Sequence, residues 1–168
     1  MTSPLPPAAA FSATQALTDQ LLAFVREVGL PVREEPLSED TFLPGLLLDR
    51  GQLVVDRARL LYPGDILHEA GHLAVTAAAE RPLTGGHVTE NNPEKEGEEL
   101  AVHCWSYAAC VALRIPAEVV FHPAGYRGAA AWLVDNFTQG SYIGLPLLVW
   151  MGLSTTEDFP RMQRWLRE

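Results

Sequence analysis

Five residues, His68-Glu69-Ala70-Gly71-His72, spell the plainest chemistry in this sequence: two imidazoles four positions apart, with a carboxylate next to the first. On an α-helix such a pair lies about 40° apart around the axis and one turn apart along it, so both rings can reach one metal ion. Glu69 is rotated off that line by roughly 100°, which sets its carboxylate beside a metal rather than on it, in reach of a proton on a metal-activated water. The HExxH spacing thus describes a two-point Zn²⁺ clamp with a general base, Glu69, at its side.

Catalytic zinc usually takes three protein ligands and keeps a fourth position for water. The third is expected downstream, where Glu99 and His103 again stand four apart, and where 26 residues after His72 leave room for a loop and an antiparallel return. Glu99 is the expected ligand, with Glu98 and His103 as alternatives. His103 is otherwise a hydrogen-bonding partner that orients the ligand, or a substrate-facing group. Glu98 and Glu99 also have an ordinary explanation as acids favoured at a helix N-terminus. The loop His122-Pro123-Ala124-Gly125-Tyr126-Arg127 offers His122 and Tyr126 as stabilisers of a transition-state oxyanion, although a lone loop histidine or tyrosine is more commonly structural. His87 is ambiguous in the same way, and Tyr107, eight residues after Glu99, suits a core position.

These groups need scaffolding. Tyr62-Pro63-Gly64 breaks the chain, Asp65 is a good N-cap, and nothing interrupts 66–80 until Arg81-Pro82, so a helix is expected there with Ile66, Leu67, Ala70, Leu73, Ala74, Ala77 and Ala78 as apolar faces. Gly71 costs about 1 kcal/mol in a helix interior relative to Ala, which points to close approach of another element. A second helix is expected over 98–115, stopped by Pro116. Ser12 caps a first helix to residue 28, with Leu17, Leu21, Leu22, Val25 and Val28 in register and Gly29 as the stop. The apolar runs 46–48 and 53–55 bracket Asp49-Arg50-Gly51 as a hairpin, with a short strand near 31–34. Its free edge could take an extended peptide as an added strand. Further helical segments are expected at 117–120, 127–137 and 156–167. The chain reads as α+β and mainly helical, with a flexible tail over 1–11 and one domain over 12–168.

Over about residues 45–116 the pattern resembles the ImmA/IrrE-like family of small zinc metallopeptidase domains within the gluzincins. In that family a short hairpin precedes an HExxH helix, often HELGH, and the next helix carries a glutamate ligand ahead of Ala-Asn, an aromatic and small residues, ending in Pro. Here the pieces are the hairpin at 46–55, HEAGH, and Glu99, Val102, His103, Trp105 and Ser106, with Pro116 about one turn late. His103 stands where the family usually has Asn, and the second helix is longer. The resemblance implies a minimal zincin-like domain with a small sheet beside the HExxH helix, Zn²⁺ on His68, His72 and Glu99, and hydrolysis of peptide bonds in a peptide or protein substrate.

Composition fits this and narrows the rivals. A chain of 168 residues with 48% hydrophobic content can bury a domain-sized core, and a net charge of −9 argues against phosphate-driven binding to nucleic acid or to an anionic membrane. Cys104 and Cys110 lie on different faces of one expected helix, so no disulfide framework is expected. The first ten residues lack a basic region and a continuous apolar run, which reads as a cytoplasmic protein, and the apolar stretch 142–153 is too short to span a bilayer. The competing function is a zinc-containing binding or regulatory module that keeps the HExxH helix without cleaving anything, working with a protein partner. A fourth protein ligand such as His103 would mark that closed kind of site.

Overall fold

The computed structural model describes residues 7–85 and 93–168, so His87 lies outside the described residues. Its elements run α1 (Pro7–Glu27), β1 (Val32–Glu34), β2 (Leu46–Asp49), β3 (Gln52–Val55), α2 (Asp65–Val75), α3 (Pro93–Leu113), α4 (Ala130–Thr138) and α5 (Leu145–Trp150), a mainly helical α+β fold. Helix α1 begins before Ser12. Pro7, with its preset φ, opens it and Ala8-Ala9-Ala10, the best helix formers, carry it forward, so residues 7–11 are helix rather than tail. It ends as expected at Gly29, which takes φ +103°.

The three strands form one sheet in the order β1-β3-β2, with β1 parallel and β2 antiparallel to β3. Asp49 pairs with Gln52 across a two-residue turn whose Arg50 and Gly51 both have positive φ, the geometry that matches strand twist. Leu48 and Leu53 face each other and are buried, joining Leu21, Leu22 and Val25 of α1, Leu73 of α2 and Trp105 of α3 in one continuous core.

Helix α2 carries the HExxH segment and is fixed at both ends. Its N-cap is Gly64 rather than Asp65; a Cβ there would stand 1.7 Å from the Val119 carbonyl oxygen, so only glycine lets the 119–120 backbone pass. Asp65 is consequently the first helical residue, and its side chain is free to bind elsewhere. At the other end the helix stops at Val75, not at 80, because its last carbonyls are claimed from outside. Arg81 Nε donates to Leu73 O at 2.9 Å and its Nη2 to Thr76 O at 3.1 Å, while Arg167 donates from its backbone N to Ala74 O at 2.9 Å and from Nη1 to Val75 O at 3.2 Å. Two arginines therefore satisfy the orphan carbonyls, and their guanidinium groups complement the negative end of the helix dipole. These tertiary bonds outweigh the helix propensity of Ala77-Ala78-Ala79, and residue 76 leaves the helix in an extended conformation.

Residues 156–167 are not a helix. Pro160 has no N–H to donate, and the segment instead lies across the core, Trp165 O accepting from the fully buried Trp105 Nε1 at 2.9 Å. The apolar stretch near 142–153 supplies α5, and no helix among the described residues is long and apolar enough to cross a membrane. Cys104 and Cys110 are buried and unpaired, as their helical spacing requires, and Tyr107 stacks on Phe137 in the core.

Helix α3 runs back across α2 at Gly71. Gly71 faces Val102 and Trp105, Ser106 Oγ reaches Leu67 O at 3.5 Å, and Glu99 meets His72, so rising numbers on α3 match falling numbers on α2. A Cβ on Gly71 would meet Val102 Cγ1 at 2.9 Å, and a β-branched side chain has few rotamers in which to move away. Gly71→Ala should therefore lower stability by about 1–3 kcal/mol in urea unfolding. An unchanged unfolding midpoint would show that α3 yields freely at this crossing.

Candidate metal centre

The first two turns of α2 present His68 and His72 on one line, and the start of α3 presents Glu99 opposite them. His68 Nε2 and His72 Nε2 are 3.2 Å apart, His68 Nε2 is 3.1 Å from Glu99 Oε1, and His72 Nε2 is 3.1 Å from Glu99 Oε2. Tetrahedral zinc with bonds of about 2.0–2.1 Å separates its ligand atoms by about 3.3 Å, close to the spacing of the two ring nitrogens and of each nitrogen from its own oxygen of Glu99. Glu99 Oε2 adds a second sign: it is buried and has no hydrogen-bond partner among the described residues, although His72 Nε2 is close by. Two imidazole nitrogens and a carboxylate oxygen, gathered without hydrogen bonds to occupy them all, form a donor set suited to zinc.

Glu69 projects off this line. One of its carboxylate oxygens lies within 4.8 Å of the ring nitrogens of His68 and His72. It also reaches an open cleft of about 320 Å³ bounded by Leu43, Leu46, Leu47 and the loop holding Thr41 and Phe42. The protein packed around it opposes charge and raises its pKa to about 7, an effect that His68 partly offsets. Glu99 behaves oppositely. Burial also disfavours its charge, but the imidazoles of His103, His68 and His72 beside it prevail and hold it well below the usual carboxylate range.

His103, one turn along α3, places Nε2 3.4 Å from Glu99 Oε1. Its ligating atom also lies within 4.8 Å of those of His68 and Glu99, so His68, Glu99 and His103 form a second group compatible with an ion. Glu98, the other alternative ligand, directs Oε1 toward Arg167 Nη1 at 3.8 Å.

The loop after α3 supplies the outer contacts. Tyr126 OH is 3.3 Å from His68 Nδ1, the ring nitrogen that does not face Glu99. Burial, together with the charges of Asp65 and Glu99, raises the Tyr126 pKa well above the usual value, so the phenol stays neutral and can accept the Nδ1 hydrogen that Nε2 ligation requires. Both Tyr126 and Arg127 occupy the left-handed region, at φ +58° and +51°, a costly backbone for residues with side chains. The anchor that holds it is His122, whose Nε2 lies 2.7 Å from Asp65 Oδ1 and whose ring stacks on Tyr62 at 4.1 Å between centroids. The two oxyanion candidates are thus engaged otherwise: His122 with the N-terminus of α2, and Tyr126 with the rear of His68.

Asp65 and Tyr62 belong to the site's support, which the sequence did not suggest. Asp65 reads locally as a cap and Tyr62-Pro63-Gly64 as a breaker, and no pattern signals a partner 57 residues away. The chain matches no protein-family model, no curated protein and no solved structure.

Removing the phenol hydroxyl isolates its effect on His68. Tyr126→Phe should leave the fold intact and weaken zinc binding about 10–100-fold in a chelator competition titration. An unchanged affinity would leave the hydroxyl with no part in orienting the imidazole.

Proposed function

We propose that the protein is a zinc-dependent metallopeptidase, with Zn²⁺ held by His68, His72 and Glu99. The observation that carries this reading is the convergence of two Nε2 atoms and one carboxylate at mutual distances of 3.1–3.2 Å, with Glu69 alongside and facing a cleft. An ion bound there would supply Lewis acidity, polarising a scissile carbonyl and making water more acidic. The side chains divide the remaining work. Glu69, beside the ion and outside the triangle, takes the proton from the attacking water and returns it to the departing amine. Tyr126 keeps the hydrogen of His68 on Nδ1, so that Nε2 presents its lone pair. The cleft between Leu46-Leu47 and the 41–43 loop receives the substrate, and because Leu46 and Leu47 belong to β2, an edge strand, it suits an extended peptide or protein segment.

The same geometry supports the ImmA/IrrE-like assignment proposed from the HEAGH motif and the placement of Glu99. A second reading, a closed zinc site in a binding module, draws on the proximity of His103 to Glu99. It requires His103 to ligate, whereas the peptidase requires a coordination position left to solvent and substrate.

Two variants test the proposal together. Purified from zinc-replete medium, the protein should hold one zinc per chain by elemental analysis, and His72→Ala should lose it. Glu69→Gln should keep the zinc while peptidase activity on a fluorogenic peptide mixture falls by about 10²–10⁴-fold. Zinc-free wild-type protein, or full activity in Glu69→Gln, would overturn the mechanism.

A further inference from the structure

We propose that His103 is a positioning residue that restricts Glu99 to a one-oxygen grip on the metal and thereby keeps a coordination position open; this rests on the metal reading above. The two oxygens of Glu99 have different surroundings. Oε1 faces His103 Nε2 at 3.4 Å as well as His68 Nε2 at 3.1 Å, whereas Oε2 faces His72 Nε2 at 3.1 Å and is buried without a hydrogen-bond partner. His103 thus approaches Glu99 on the Oε1 side, and Oε2 is the buried oxygen without a hydrogen bond.

The tautomer of His103 follows from the same contacts. Its Nδ1 is buried and has no hydrogen-bond partner among the described residues, whereas Nε2 lies beside the Glu99 carboxylate, so the ring hydrogen belongs on Nε2. A nitrogen that donates a hydrogen has no lone pair for a metal, which separates this role from ligation. The ring is also held in place: Phe121 meets it edge-on at 6.1 Å between centroids, and Tyr126 does so at 5.3 Å. A carboxylate without such a donor is free to bind through both oxygens, taking the position that water and substrate need.

Cobalt(II) reports the coordination number directly, because four-coordinate cobalt absorbs visible light several-fold more strongly than five-coordinate cobalt. In the cobalt-loaded full chain, His103→Phe, which keeps a ring against Phe121 and Tyr126, should lower the visible absorption several-fold and weaken cobalt binding about 10–100-fold. His103→Gln, whose amide N–H can reach the same oxygen, should restore both. Acetohydroxamate, a small bidentate chelator, should perturb the wild-type spectrum by entering the open position.

Identical spectra and affinities for wild type and His103→Phe would overturn the proposal while leaving the metallopeptidase reading intact. A wild-type spectrum indifferent to acetohydroxamate, but changed by His103→Phe, would make His103 a fourth ligand and overturn both. Wild-type protein that binds neither cobalt nor zinc would remove the metal site itself, and the proposal with it. Circular dichroism of each variant confirms that the comparison is between folded chains.

Discussion

Two imidazole nitrogens 3.2 Å apart, each 3.1 Å from an oxygen of one carboxylate, place several lone pairs in a space from which much of the water is excluded. Where both nitrogens present lone pairs the arrangement is repulsive unless a hydrogen or a cation sits within it, and a dication is one species that relieves it. The rest of the molecule can be understood as the apparatus that imposes this crowding. Helix α3 can bring Glu99 so close only because Gly71 lets Val102 and Trp105 settle onto α2. Helix α2 in turn cannot slide along its axis, since Gly64 fits under the 119–120 backbone at one end and Arg81 and Arg167 bind the carbonyls at the other.

The loop bearing Tyr126 shows the same logic at smaller scale. Two successive left-handed residues cost of order 1–3 kcal/mol each, and such a conformation persists only where its surroundings over-determine it. The surroundings here are the Asp65–His122 bond, the stacking of His122 on Tyr62, and Gly125, where an added Cβ would come within 3.3 Å of His122 Cε1. Asp65 is the first residue of α2, so the helix that carries His68 also anchors the loop that touches the far side of His68. Movement of either one is registered by the other, which keeps the imidazole plane fixed relative to Glu99.

How far the sequence disclosed this arrangement depended on the range of the interactions. The helical spacing of His68 and His72, the Asp49-Arg50-Gly51 turn and the apolar runs that flank it are local facts, and they placed α2 and the hairpin correctly. The convergence of Glu99 was legible because residues four apart on a helix share a face and because Gly71 marked a crossing. The end of α2 was not legible: Ala77-Ala78-Ala79 favours more helix, and the arginine that captures Ala74 and Val75 lies some ninety residues away. Residues 156–167 likewise carry a helical pattern that loses to Pro160 and to the docking of Trp165 against Trp105. His122 reads from sequence as a structural loop residue or an oxyanion donor, with nothing to name its partner, because Asp65 reads as an ordinary cap until the fold brings the two together.

The two carboxylates of the centre have been driven to opposite ends of their range by a difference in company rather than in burial alone. Both are disfavoured as anions by the protein around them, yet Glu99 is surrounded by three imidazole nitrogens and is held well down, while Glu69 has one favourable neighbour in His68 and rises to about 7. Environments that separate a pair of like groups in this way assign them different roles. On the proposed reading Glu99 would be the anion that a dication needs as a partner. Glu69 retains proton affinity near neutrality, and a dication a few ångströms away would draw it downward into the ionised form while leaving it basic enough to accept a proton. The direction of that effect follows from charge alone. On the proposed metallopeptidase reading, a cation bound among these lone pairs would also ready the neighbouring carboxylate for proton transfer.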